Sequence, residues 1–69
     1  MNEMYLRYIV ERKNGMVPSF TVHEPIDCIN RGRHLAASLR AQNNFPNSQT
    51  IYSGFTIVGP DKQFIIDRP

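Results

Sequence analysis

Residues 25–43, PIDCINRGRHLAASLRAQN, carry the single helical stripe of a 69-residue chain and decide its fold. Small or apolar residues recur there every three or four positions, on one side of a helical wheel. These residues are Cys28, Ile29, Gly32, Leu35, Ala36 and Leu39. Pro25 suits a first helical turn, and residues 42–48 collect types that end helices. The pattern predicts a helix from about residue 25 to about residue 43 that packs on a sheet, with Gly32 at a close backbone approach.

A β-hairpin is predicted before this helix. Residues 5–12 alternate, with Leu6, Tyr8 and Val10 on one side of an extended chain. Asn14 and Gly15 form a pair typical of tight turns, and residues 17–22 resume the β-type pattern. Because Pro18 cannot donate to a strand ladder, we expect the second strand to lie at a sheet edge or to begin at Pro18.

A second hairpin is predicted after the helix. Residues 49–58 alternate, with Ile51, Ser53, Phe55 and Ile57 expected on one face and Tyr52, Gly54, Thr56 and Val58 on the other. Residues 59–61 form a turn, and residues 62–67 return as a strand. In the loop before this hairpin, Phe45 either anchors the end of the core or is an exposed contact.

The predicted order of elements is ββαββ, in one α+β domain spanning residues 1–69. A right-handed crossover allows the third strand to pair beside the first. We therefore expect a four-stranded antiparallel sheet of order 2-1-3-4, with one helix on one face and the other face open to solvent or a partner.

Composition is that of an ordinary globular protein. The chain is 41% hydrophobic and has a net charge of +2, which permits an acidic partner without requiring one. No segment resembles a signal peptide or a membrane span, and the single cysteine excludes a disulfide framework, so the sequence predicts a cytoplasmic protein. Because so small a domain has marginal stability, a homodimer is an open alternative.

Residues capable of catalysis are few. Cys28 cannot meet His34 on one helix, and His23 lies before the helix without a third orienting group. We expect Cys28 to be a buried small residue and both histidines to lie on the surface. The carboxylates Asp27, Asp61 and Asp67 fall where local hydrogen bonds are common. The spacing predicts no metal site, and the isolated glycines predict no nucleotide or other cofactor.

One candidate surface is the sheet face away from the helix. The alternation predicts that Tyr5, Ile9 and Tyr52 share this face. Exposed tyrosine and apolar side chains are typical of protein interfaces. Alternatively, these side chains only form cross-strand pairs that stabilise the sheet.

The basic residues form a second candidate surface. Arg12 and Lys13 occupy the predicted tip of the first hairpin, and Arg33 and Arg40 lie on the predicted helix. They are interpreted as a solvated rim, as contacts to an acidic protein, or as contacts to nucleic-acid phosphates.

These patterns favour a small non-enzymatic interaction or regulatory protein that binds or inhibits another protein through its open sheet face or an edge strand. Compact chains of this kind are often encoded by phage or other mobile elements, which is an association and not a derivation. The alternative is a nucleic-acid-binding module that uses the hairpin tip and the helix arginines, with binding that falls steeply as salt increases.

Overall fold

The fold is α+β, with one helix packed on one face of an antiparallel sheet. The computed structural model describes residues 4–60 and 64–66. The elements are β1 (Met4–Arg12), β2 (Phe20–Ile26), α1 (Ile29–Gln42), β3 (Thr50–Val58) and β4 (Phe64–Ile66). The structure therefore supports an α+β fold.

The prediction of a four-stranded sheet requires correction. Three antiparallel strands of nine, seven and nine residues form the sheet, in the order β2-β1-β3. The predicted fourth strand, residues 62–67, is reduced to the three-residue segment β4, which pairs with residues 56–58 at the free side of β3. Residues 61–63 and 67–69, including Asp61 and Asp67, lie outside the described residues. The supported architecture is a three-stranded sheet with a short segment at its edge.

The helix begins later than predicted. Pro25 lies in β2, opposite Tyr5, and the strand continues to Ile26. An edge strand tolerates proline when the missing N–H faces solvent, so β2 continues through Pro25. The helix starts at Ile29 after Cys28, whose backbone is extended, and it ends at Gln42, next to the predicted position. Pro18 precedes β2, which begins at Phe20.

The core lies between α1 and the two central strands. Its buried residues are Leu6, Tyr8, Val10, Ala36, Leu39, Phe55 and Ile57. A Cβ atom on Gly32 would lie 2.7 Å from Ile26 Cδ1 and 3.1 Å from Ile57 Cδ1. Helix and sheet therefore pack closely at Gly32, but the nearest atoms belong to isoleucine side chains and not to the strand backbone that was predicted.

A β-bulge in β3 overturns the predicted face assignment of that strand. Arg7 pairs with Thr56, but Ile9 pairs with Ser53, so β3 has one more residue than β1 in this interval. Gly54 adopts φ +65°, the left-handed conformation typical of a glycine bulge. Because an extra residue reverses the alternation, Tyr52 joins Phe55 on the helix side.

The expected grouping of Tyr5, Ile9 and Tyr52 on one open face is therefore wrong. Tyr52 packs against the core, and its ring centroid lies 6.0 Å from that of Tyr8. Tyr5 and Ile9 remain on the opposite face, because they alternate with the buried residues of β1.

Candidate functional site

The sheet face opposite α1 is the main candidate site. We define the uncovered face by Tyr5, Arg7 and Ile9 of β1 together with Thr21 and His23 of β2. Arg7 lies directly across from His23, and Ile9 lies across from Thr21. Ile9, Thr21 and His23 are exposed, and Tyr5 and Arg7 are half-buried. The face therefore presents a row of aromatic, cationic and aliphatic groups on a rigid sheet.

Tyr5 is held in place by an aromatic contact. Its ring centroid lies 5.0 Å from that of His23, with the ring planes at 75°. Edge-to-face contacts of this kind favour one relative orientation of the two rings. The contact therefore favours one orientation of the half-buried tyrosine.

Ile9 lies beside the bulge and is 39% exposed. A Cβ atom on Gly54 would come within 3.1 Å of Ile9 Cδ1, so the missing side chain leaves room for the isoleucine. Arg7, Thr21 and His23 complete an open depression around these two residues. The same glycine thus permits the bulge and shapes the uncovered face.

The predicted basic residues have different surroundings. Arg12 donates from Nη1 to Thr50 Oγ1 at 2.9 Å, and the Arg40 guanidinium lies 4.8 Å from the centre of the Phe55 ring. Lys13 and Arg33 are exposed, at the hairpin and on the helix respectively. Two of the four side chains are therefore engaged with neighbours in the sheet.

The groups that could support catalysis do not form a site in the part of the chain that the structure describes. Cys28 is exposed, so the prediction that it is buried is wrong. It precedes the first helical residue, and the helical wheel that placed it on the apolar side does not apply there. His23 and His34 are exposed, as predicted. No group of three or more potential metal-ligating side chains occurs among the described residues.

An exposed apolar segment was missed by the sequence analysis. Met16, Val17 and Phe20 are 81%, 52% and 51% exposed, and we call them the apolar edge. Phe20 pairs with the buried Val10 and so faces the helix side, but α1 lies mainly over β3 and leaves β2 less covered. The available signal was three large apolar residues within five positions at a predicted edge. Phe45 is 61% exposed, which favours the exposed alternative for that residue.

A groove separates α1 from β2. Glu24 and Ile26 line its strand side, and His34 and Leu35 line its helix side. Burial raises the pKa of the nearby Tyr8 phenol above its ordinary value, and the Glu24 carboxylate and Tyr52 raise it further. The groove therefore has a carboxylate on its strand side, and an ion pair joins Arg31 to Asp27 at its rim.

Comparison of the chain with protein-family models, curated proteins and solved structures found no match. Within the described ranges, no helix has the length and apolar character needed to cross a membrane.

Proposed function

We propose that this chain is a small, non-enzymatic protein-binding module of the cytoplasm, and that it acts by docking the uncovered face onto another protein. The observation that carries the proposal is the alignment of Tyr5, Arg7 and Ile9 along β1, opposite the face that α1 covers. A regulatory role follows from the proposal, because a bound module of this size blocks or recruits by occupying its partner's surface.

The residue types support a protein partner. Tyrosine and arginine are enriched among the residues that carry binding energy in protein interfaces, and a partly exposed aliphatic side chain supplies apolar area. The depression around Ile9 is open and not enclosed, which suits a protruding side chain of a partner. Arg7 and His23 at its border favour an acidic or carbonyl-rich rim on that partner.

Nucleic-acid binding is the second candidate, supported by the exposed Lys13 next to Arg12 at the hairpin. We favour it less because Arg12 donates to Thr50 and the Arg40 guanidinium lies over the Phe55 ring, so phosphates would compete with these contacts. Phosphate contacts would make the affinity fall steeply with salt.

The test is capture of partners by the tagged full chain from nuclease-treated lysate of its source, followed by titration of the captured protein in pure form. We expect Ile9→Glu to weaken binding about tenfold or more, because it places a charge in the centre of the face. Phe45→Glu makes the same kind of change at an exposed site elsewhere and should bind as wild type.

Two results would contradict the proposal. One is a partner that binds the folded Ile9→Glu variant and wild type equally, with folding checked by circular dichroism. The other is recovery of nucleic acid alone, only when nuclease is omitted, with an affinity that falls with salt.

A further inference from the structure

The outer edge of β2 carries backbone groups that the described sheet does not use. The Lys13 N–H donates to the Gln49 carbonyl at 2.9 Å, on the β3 side. Since backbone groups of successive residues point to opposite sides of a strand, odd-numbered residues of β1 face β3 and even-numbered residues face β2. Leu6, Tyr8 and Val10 thus bond to their β2 partners, and the residues between those partners face outward.

Those outward residues of β2 are Thr21, His23 and Pro25. Pro25 has no N–H to donate. Because the backbone groups at this position point away from β1, proline costs β2 no hydrogen bond to β1. Thr21 and His23 each direct one N–H and one carbonyl away from the sheet. No described strand pairs with this edge.

The two ends of this edge strand differ in character. Phe20 and Val22 lie on the helix side of β2, and Met16 and Val17 precede them in the chain. Natural proteins usually protect an edge strand with charges, proline or a bulge. Glu24 and Pro25 supply a charge and a proline at one end of β2, whereas residues 20–22 have neither, so any pairing with another strand is favoured at the Phe20 end.

We propose that two copies of this chain pair through β2, antiparallel, about a two-fold axis at Thr21. In this register Phe20 lies opposite Val22 of the second copy, and the outward groups of Thr21 bond to those of its counterpart. An axis at Val22 would place Phe20 opposite Glu24, and an axis at His23 would place Val22 opposite Glu24. Of these three registers, the Thr21 register matches aromatic with β-branched side chains and threonine with threonine, both of which are favoured cross-strand pairs.

Because the axis is perpendicular to the sheet, both helices lie on one side and both uncovered faces on the other. Thr21 and His23 belong to both surfaces, since their backbone groups lie on the edge of β2 and their side chains on the uncovered face. Phe20 and Ile9 belong to one surface each, so Phe20→Lys tests the dimer and Ile9→Glu tests the proposed function.

Sedimentation of the pure full chain tests the dimer. We expect a mass of twice 8.0 kDa at concentrations above about 10 µM, the range typical of modest interfaces. Phe20→Lys should raise the dimer dissociation constant about tenfold or more, since lysine on an edge strand opposes pairing. Phe45→Lys makes the same substitution at a similarly exposed site and should leave the constant unchanged.

A cross-linking experiment tests the register. In a Cys28→Ser background, Thr21→Cys should form a disulfide-linked dimer on mild oxidation, because residues facing each other across such a pair have Cα atoms about 5.5 Å apart. Thr56→Cys and His23→Cys in the same background are the controls and should link far more slowly. A monomer at every concentration, a dimer unaffected by Phe20→Lys, or faster linking through residue 23 or 56 would each overturn the proposal.

Discussion

The side chain of Asn43 bonds both backbone polar groups of Tyr52. Its Nδ2 donates to the Tyr52 carbonyl at 2.8 Å, and the Tyr52 N–H donates to Asn43 Oδ1 at 2.9 Å. Tyr52 pairs with Val10, whose backbone groups face β2, so those of Tyr52 face away from β1. The Asn43 amide thus makes the two hydrogen bonds that a neighbouring strand would make to Tyr52. These bonds link the end of α1 to the sheet.

Asn43→Asp should therefore destabilise the protein. A carboxylate accepts from the Tyr52 N–H but cannot donate to its carbonyl, which then faces a negative oxygen in a partly buried position. We expect a loss of about 1 to 3 kcal/mol in the free energy of unfolding, measured by urea denaturation. Asn44→Asp, at the exposed next position, is the control and should cost less. Equal losses for the two variants would show that the hydrogen bonds of Asn43 add nothing to stability, and that the loss comes from the added negative charge alone.

Gly54→Ala tests the bulge. At φ +65° an alanine is strained by about 1 to 2 kcal/mol, and its Cβ would also approach Ile9 Cδ1 to 3.1 Å. Gly15→Ala is a matched control, since Gly15 has φ +68° but nothing within 4 Å of its Cβ position. We expect urea unfolding to show a larger loss for Gly54→Ala than for Gly15→Ala. If the two losses are equal, the packing of Ile9 against the bulge contributes nothing to the free energy of unfolding.

Stability should fall at alkaline pH because of Tyr8. Burial, Glu24 and Tyr52 raise the pKa of Tyr8 in the folded chain above 10.0, its unperturbed value. The folded state therefore holds the phenolic proton after the unfolded chain has lost it. The contribution to stability is complete below about pH 10 and is lost as pH rises toward the folded-state pKa.

Thermal unfolding between about pH 9 and about pH 11 measures this effect, since tyrosine titrates in that range. Tyr8→Phe removes the titrating group and should lose less stability over the interval than wild type. Tyr5→Phe retains Tyr8 and should follow wild type. An identical loss in wild type and Tyr8→Phe would exclude this origin of the pH dependence.

Much of the first hairpin was predictable because its signals are local. The Asn14–Gly15 turn was predicted from the two residue types, and Gly15 adopts φ +68° with its N–H bonded to the Arg12 carbonyl. The burial of Leu6, Tyr8 and Val10 followed from a two-residue period. The helix start was wrong because Pro25 suits both a first helical turn and an edge strand, and only pairing with Tyr5 decides between them.

The uncovered face was only half predictable. Tyr5 and Ile9 were placed correctly because β1 has no irregularity of its own. Tyr52 was misplaced because one glycine in the left-handed conformation adds a residue to β3 and reverses every side chain beyond it. Gly54 is compatible with both regular and bulged strands, so the choice depends on how β3 pairs with β1.

The amino-acid sequence by itself determined which segments are extended or helical, the order of those segments and the side of β1 that is buried. These properties follow from the two-residue and 3.6-residue periods of the backbone, which act over a few neighbouring positions. Only the tertiary structure decided the bulge at Gly54, the two hydrogen bonds between Asn43 and Tyr52, and the exposure of Phe20. Each depends on how α1 and β3 pack against residues that are distant in the chain. That packing is determined by the core as a whole and not by neighbouring residues.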